Sequence, residues 1–159
     1  MQVLWVVGCH GRIPSADILT RKNIPNDMWC PFCHTVEETA IHILGDDCRF
    51  ARTIWGLIAG WTGNQLFHPS SWADTSSIRL WWADRIASTK PLGKLPAKAF
   101  ASVFLLTLWE MCKERNRRVF QHKLNPPAAV LALIKEEATL WKRAGARIGE
   151  LTSGADDVP

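Results

Sequence analysis

Three cysteines and one histidine within nineteen positions are the side chains of this sequence best suited to chemistry: Cys30-Pro31-Phe32-Cys33, then His42, then Cys48. Their spacing is C-x2-C-x8-H-x5-C. Two thiols separated by two residues converge from one turn, and an imidazole and a third thiol follow at short range. Thiolate and imidazole together suit a tetrahedral Zn²⁺. Four protein ligands leave no open coordination position, so one structural rather than catalytic ion is expected. Cys48 falls at the expected start of a helix, where the positive end of the dipole favours a thiolate. His34, beside Cys33, is the rival imidazole, although its loop position suits solvent or an outer contact better. Asp46 and Asp47 read as a helix stop and solvated charge, and either can accept a hydrogen bond from a ligand histidine. Ordinary buried thiols are the competing explanation for the motif, and they do not account for the His and Cys that follow the C-x-x-C. Cys9 and Cys112 lie among apolar residues and read as core.

The elements that must position these ligands are mainly helical. With 159 residues, 47% of them hydrophobic, the chain suits one domain or two small halves sharing a core, and wholesale disorder is excluded. Such a length buries enough surface to fold without disulfides. Five cysteines, an odd number, argue against a secreted disulfide framework and for a reducing, intracellular setting. No apolar run approaches the roughly 18–20 residues of a membrane span, so no membrane partner is expected. Met1–Gly8 lacks the basic flank and cleavage site of a signal peptide. Nine Trp and six Phe, with no Tyr, predict a core built on large anchors.

Ser15 is placed to cap a short helix running to about Lys22. Thr35-Val36-Glu37-Glu38 matches a capping box that would open a helix to about Leu44, stopped by Gly45-Asp46-Asp47. A further helix is predicted from Cys48 to near Gly60, with Phe50, Ile54, Trp55 and Ile58 on one face. Residues 61–72 read as loop, Ser76–Ala87 as a short helix, and Ser88–Pro96 as linker. The longest helix is expected over 97–123, with Phe100, Phe104, Leu108 and Met111 as its stripe. Asn125 as N-cap and Pro126 at N1 would open the last helix, through Leu131, Ile134, Ala138 and Trp141 to about Arg147. The predicted organisation is therefore a zinc-stapled helical module over 1–60, a loop, short helix and linker over 61–96, a two-helix basic segment over 97–147, and a disordered tail over 148–159.

These motifs together resemble a known family. His10-Gly11-Arg12-Ile13-Pro14-Ser15-Ala16-Asp17, the Cys-Pro-Phe-Cys run, Glu38-Thr39, His42-Ile43-Leu44, Cys48-Arg49-Phe50-Ala51 and Ile54-Trp55 are similar to the reverse-transcriptase zinc-binding domain of plant non-long-terminal-repeat (LINE-type) retrotransposon polyproteins. Leu108–Phe120, and the region of Glu137, Trp141 and Ala144-Gly145-Ala146, resemble the segment that follows it. The resemblance implies the ligand set Cys30, Cys33, His42 and Cys48. The stretch between His42 and Cys48 is one residue longer than the family's usual spacing, an excess that Gly45 can absorb. The family's helix upstream of the His-Gly-Arg run is almost wholly missing, so the resemblance implies a remnant of a larger polyprotein, with nuclear access. It also implies template RNA or target DNA, or the parent polymerase, as partner. Asp156-Asp157 lacks the aromatic that precedes the polymerase aspartate pair and reads as a solvated acidic tail. No Ser/His/Asp set or Gly-rich phosphate loop is present, so no enzyme activity, catalytic residue or small-molecule substrate is expected.

Charge is uneven along the chain. Residues 94–147 hold 11 basic and 4 acidic side chains, a net +7 within a chain of net +4. Lys113, Arg115, Arg117, Arg118 and Lys123 are the candidate nucleic-acid-binding residues, with Trp109, Phe120 and His122 interleaved. Cations at a helix C-terminus also suit its dipole and keep the outer face soluble, which explains the same cluster without a ligand. On that account Trp109 and Phe120 are core. Arg12, Arg21, Lys22, Arg49 and Arg52 flank the zinc module, diluted by Asp17, Glu37, Glu38, Asp46 and Asp47. The alternative function is a zinc-stabilised protein-interaction or structural domain, docking through Trp72, Trp81 and Trp82, or a non-functional retroelement remnant.

Overall fold

A computed structural model describes residues 15–75 and 77–149 of the chain. Cys9, the His10–Pro14 part of the family motif, and Asp156-Asp157 lie outside them. The described residues form six α-helices: α1 (Ala16–Arg21), α2 (Ala40–Leu44), α3 (Arg49–Thr62), α4 (Ile78–Ala87), α5 (Lys94–Gln121) and α6 (Pro127–Arg143). Three short 3₁₀ turns at Gln65–Phe67, Pro69–Ser71 and Lys90–Leu92 complete the order, and the one β feature among them is an isolated antiparallel bridge between Trp29 and Glu37. The mainly helical expectation, with a Cys₃His cluster among short N-terminal helices and two long helices in contact after it, is what the structure shows.

α3 buries Ala51, Ile54, Trp55, Ile58 and Ala59, the i, i+3, i+4 rows of one face. It ends at Gly63, whose φ of 64° is the left-handed closure that glycine adopts without strain. That face packs on α6, and α6 packs along α5. The expected stripe of Phe100, Phe104, Leu108 and Met111 is buried, as are Val103 and Cys112. α5 is also the one described helix long and apolar enough to cross a membrane, contrary to the sequence expectation. More than half of that apolar stretch is buried inside the fold, which accounts for its composition.

Aromatic rings fill the centre. Trp55 stacks on Phe104 at 4.7 Å between centroids and meets Trp72 and Trp81 edge-on at 5.3 and 6.1 Å. Phe67 stacks on Phe100 at 4.3 Å. The indole N–H of Trp55 donates to the Leu44 carbonyl at 2.9 Å, so this ring carries no unpaired polar atom of its own. Trp81 is buried, while Trp72 and Trp82 are partly buried and packed on the same core. They build the interior and do not form the docking surface expected of them. One apolar cluster runs from Cys30 to Ile148 and takes residues from all four segments named from the sequence.

Local expectations shift where longer-range contacts compete. The Thr35 capping box does not form. Cys30 N–H donates to the Val36 carbonyl and Glu38 N–H to the Met28 carbonyl, both at 2.8 Å, which holds this stretch as a small hairpin. Thr39 caps α2 instead, its hydroxyl accepting from His42 N–H at 3.2 Å. The N-cap of α6 is Pro126, one residue later than expected, because a residue before proline is barred from helical ψ. α5 starts at Lys94, inside the expected linker, since the unpaired N–H groups of a first turn leave room for Pro96. α3 and two 3₁₀ turns take up much of the expected 61–72 loop. Ile148, assigned to the tail, is buried.

Candidate metal centre

The centre is assembled from a knuckle, a one-turn helix and a helix start. In the knuckle, His34 N–H donates to the Cys30 carbonyl at 2.9 Å, and His34 itself takes a left-handed φ of 55°. This turn folds Cys33 back toward Cys30. α2 projects His42 inward, and Cys48 is the N-cap residue of α3. One donor atom from each of Cys30, Cys33, His42 and Cys48 lies within 4.8 Å of the other three. Cys30 Sγ and Cys48 Sγ are 3.9 Å apart, and Cys33 Sγ is 3.3 Å from His42 Nε2. A tetrahedral ion bound at roughly 2.3 Å to sulfur and 2.0 Å to nitrogen separates its ligand atoms by about 3.5–3.8 Å. The group fits that size and can hold one metal ion.

Each sulfur is met by N–H or O–H donors, the environment a thiolate needs. Phe32 N–H donates to Cys30 Sγ at 3.4 Å, and the Thr35 hydroxyl to Cys33 Sγ at 3.2 Å. The hydrogen bond between the Cys30 and Cys48 sulfurs raises the Cys30 pKa, with burial acting the same way. The same hydrogen bond lowers Cys48 to about 6 against the opposing effect of burial, helped by the Ala51 and Phe50 amides of the first turn of α3. Burial pushes Cys33 up, but donation from the Thr35 side chain and amide, and contact with His42, outweigh it and leave the thiol below its ordinary value. A metal ion must therefore displace the Cys30 proton, and binding releases it.

Comparison of the chain with protein-family models, curated proteins and solved structures finds no match.

His34, the rival ligand, is exposed and outside the group. Among the described residues no hydrogen bond joins the Asp46 or Asp47 carboxylate to His42; the Asp46 carbonyl instead accepts from Arg52 Nε at 3.0 Å. The loop from His42 to Cys48 absorbs its five residues through Gly45. A Cβ there would stand 2.6 Å from the Ile41 carbonyl oxygen, a backbone atom that cannot step aside. Gly45→Ala is therefore expected to distort the His42–Cys48 connection and weaken metal binding about tenfold or more, by analogy with lost outer-shell support. A chelator competition titration checks it, and parental affinity would contradict it.

The basic candidates occupy other positions than those expected. Arg115 is 3% exposed and grips Glu38, itself 2% exposed, through two bonds of 2.7 and 3.0 Å. Glu38 also accepts the Ala16 N–H at 2.8 Å, thereby capping α1 from a distance. Arg117 and Arg118 both pair with the buried Glu114, and Lys113 with the buried Glu110. Of the five, Lys123 alone is fully on the surface. Arg115, Arg117 and Arg118 thus hold the fold together and do not present a free cationic face. Trp109 and Phe120 are on the surface, not in the core, with Phe120 67% exposed. The sequence reading also missed Thr35 and Thr39 as supports of the centre. Glu114 followed by Arg at i+3 and i+4 is a legible helical pairing. Glu38 and Arg115, 77 positions apart, give no local signal.

Proposed function

We propose that this protein is a non-catalytic helical domain stapled by one structural Zn²⁺ on Cys30, Cys33, His42 and Cys48. The observation that carries the proposal is the convergence of three sulfurs and one imidazole nitrogen to within 4.8 Å. Three thiolates and an imidazole favour Zn²⁺ over the hard, oxygen-seeking cations. With all four positions filled by protein, the ion stabilises the fold and offers no site for substrate. Metal content per chain, measured on reduced protein purified without chelator, tests this. About one zinc per chain is expected, and none would end the proposal.

The sequence resemblance extends the proposal to a retrotransposon reverse-transcriptase zinc-binding domain that helps its polymerase engage template RNA or target DNA. The phosphate contacts would fall to exposed cations that have no carboxylate partner among the described residues, such as Lys22, Arg49 and Lys123. Fluorescence anisotropy with single-stranded RNA and duplex DNA at two salt concentrations tests this part, with binding expected to weaken as salt rises. Absence of binding at low salt would favour the second reading, a protein-docking module. That reading rests on Met28, Trp29 and Val36, each about half exposed on the knuckle.

A further inference from the structure

We propose that Arg118 is a positioning residue for the metal centre, coupling metal occupancy to closure of the connection between α5 and α6. The inference rests on the zinc assignment above and adds the group that carries occupancy outward. The Arg118 side chain touches four separate segments. Its Nε donates to Glu114 Oε1 within α5 at 2.9 Å, Nη1 to the Pro31 carbonyl at 3.1 Å, and Nη2 to the Asn125 carbonyl at 3.0 Å. The guanidinium carbon lies 4.3 Å from the Phe50 ring centroid and 5.1 Å from that of Phe32. Phe32 and Phe50 stack on each other at 4.7 Å.

Pro31 and Phe32 are the two residues between Cys30 and Cys33, and Phe50 stands two positions after Cys48. Every contact Arg118 makes with the metal module is therefore within two residues of a ligand. On its other side, Asn125 belongs to the stretch between α5 and α6, and its N–H donates at 2.8 Å to the same Glu114 oxygen that holds Arg118. The knuckle, the start of α3 and the interhelix connection thus meet at one planar, forked cation. A bound ion confines Cys30, Cys33 and Cys48, and with them the Pro31 carbonyl and both rings. Without it those acceptors are free to move, and the fork loses the fixed geometry it needs. Charge works in the same direction. Three thiolates, a neutral imidazole and a divalent ion sum to −1, while Glu114 with Arg117 and Arg118 sums to +1.

The test uses the full chain as parent, Arg118→Lys and Arg118→Ala. Zn²⁺ affinity is measured by chelator competition, the ligand set by the absorption of the Co²⁺-loaded form, and the connection by amide hydrogen exchange at Lys123, Leu124 and Asn125 with and without Zn²⁺. Both variants are expected to bind Zn²⁺ about tenfold or more weakly. Their Co²⁺ thiolate bands should be unchanged, because all four ligands remain. In the parent, Zn²⁺ should slow exchange at these amides about tenfold, and in the variants it should not. Should Arg118→Ala not fold, Arg118→Lys carries the same comparison with the charge retained. Parental affinity in the variants, or exchange at 123–125 indifferent to Zn²⁺ in the parent, would overturn the inference. A purely packing role would leave exchange at 123–125 as sensitive to Zn²⁺ in the variants as in the parent. A parent chain showing no Co²⁺ thiolate band would instead remove the zinc assignment itself.

Discussion

Cys48→Ser protein is expected to purify without stoichiometric metal and to lose the native fold at ambient temperature. The substitution isolates the metal contribution. Cys48 is the N-cap of α3, and serine is among the best N-cap residues, so the helix start keeps or improves its local stability. What is lost is a sulfur ligand. Apparent zinc-binding free energies in small zinc domains are about 10–16 kcal/mol at neutral pH, and whole-domain stabilities about 5–15 kcal/mol. Losing most of the first exhausts the second. From the sequence, the helices after Leu95 would be expected partly to outlast such a loss. The packing predicts otherwise, because Cys30 and Cys48 belong to the same buried cluster as Phe104 and Ile134, and Trp55 of α3 stacks on Phe104 of α5. Helicity by circular dichroism, read beside metal content, should therefore fall across the whole chain. Co-melting of variant and parent would contradict the prediction, and surviving protection confined to α5 and α6 would contradict its cooperative part.

Arg115→Ala has the second largest expected effect. It leaves the Glu38 carboxylate buried with the Ala16 amide as its remaining partner among the described residues. Breaking a buried ion pair from one side costs about 3–5 kcal/mol. In a chain of this size that lowers the melting temperature by about 6–20 °C. Arg115→Lys should recover only part of the loss, since an ammonium cannot make the two parallel bonds of the guanidinium. Pairing Arg115→Met with Glu38→Leu removes both charges and should recover more. Thermal melts of the single and double variants check this. They also separate the two accounts of the basic segment. A phosphate-contacting Arg115 would change nucleic-acid affinity and leave the melting temperature where it was.

The helices were legible wherever their own residues supplied the reason. The Ile54, Trp55 and Ile58 spacing marked α3, and Phe100, Phe104, Leu108 and Met111 marked α5, because a helical face needs no knowledge of its partner. Boundaries were legible less often. Thr35 and Glu38 spell a capping box, yet each is claimed by something outside the local helix: Thr35 by the Cys33 sulfur, Glu38 by Arg115. Trp81 looked like a docking residue because a sequence shows that a residue is large and apolar but not which way it faces.

By itself the sequence determined the four candidate ligands, the mainly helical class and the apolar faces of the long helices. All of these depend on residue type at short spacing, which chain geometry converts directly into proximity. The tertiary structure alone decided the fate of the charges paired over long range. Glu38 lies 77 positions from Arg115, and Arg118 lies 87 from Pro31, and over such separations the chain imposes no pairing. Only the packing of α5 against the knuckle brings these groups together. Once they are removed from water each must find its counter-charge or carbonyl, and a segment that reads as a cationic surface becomes the internal brace of the metal module.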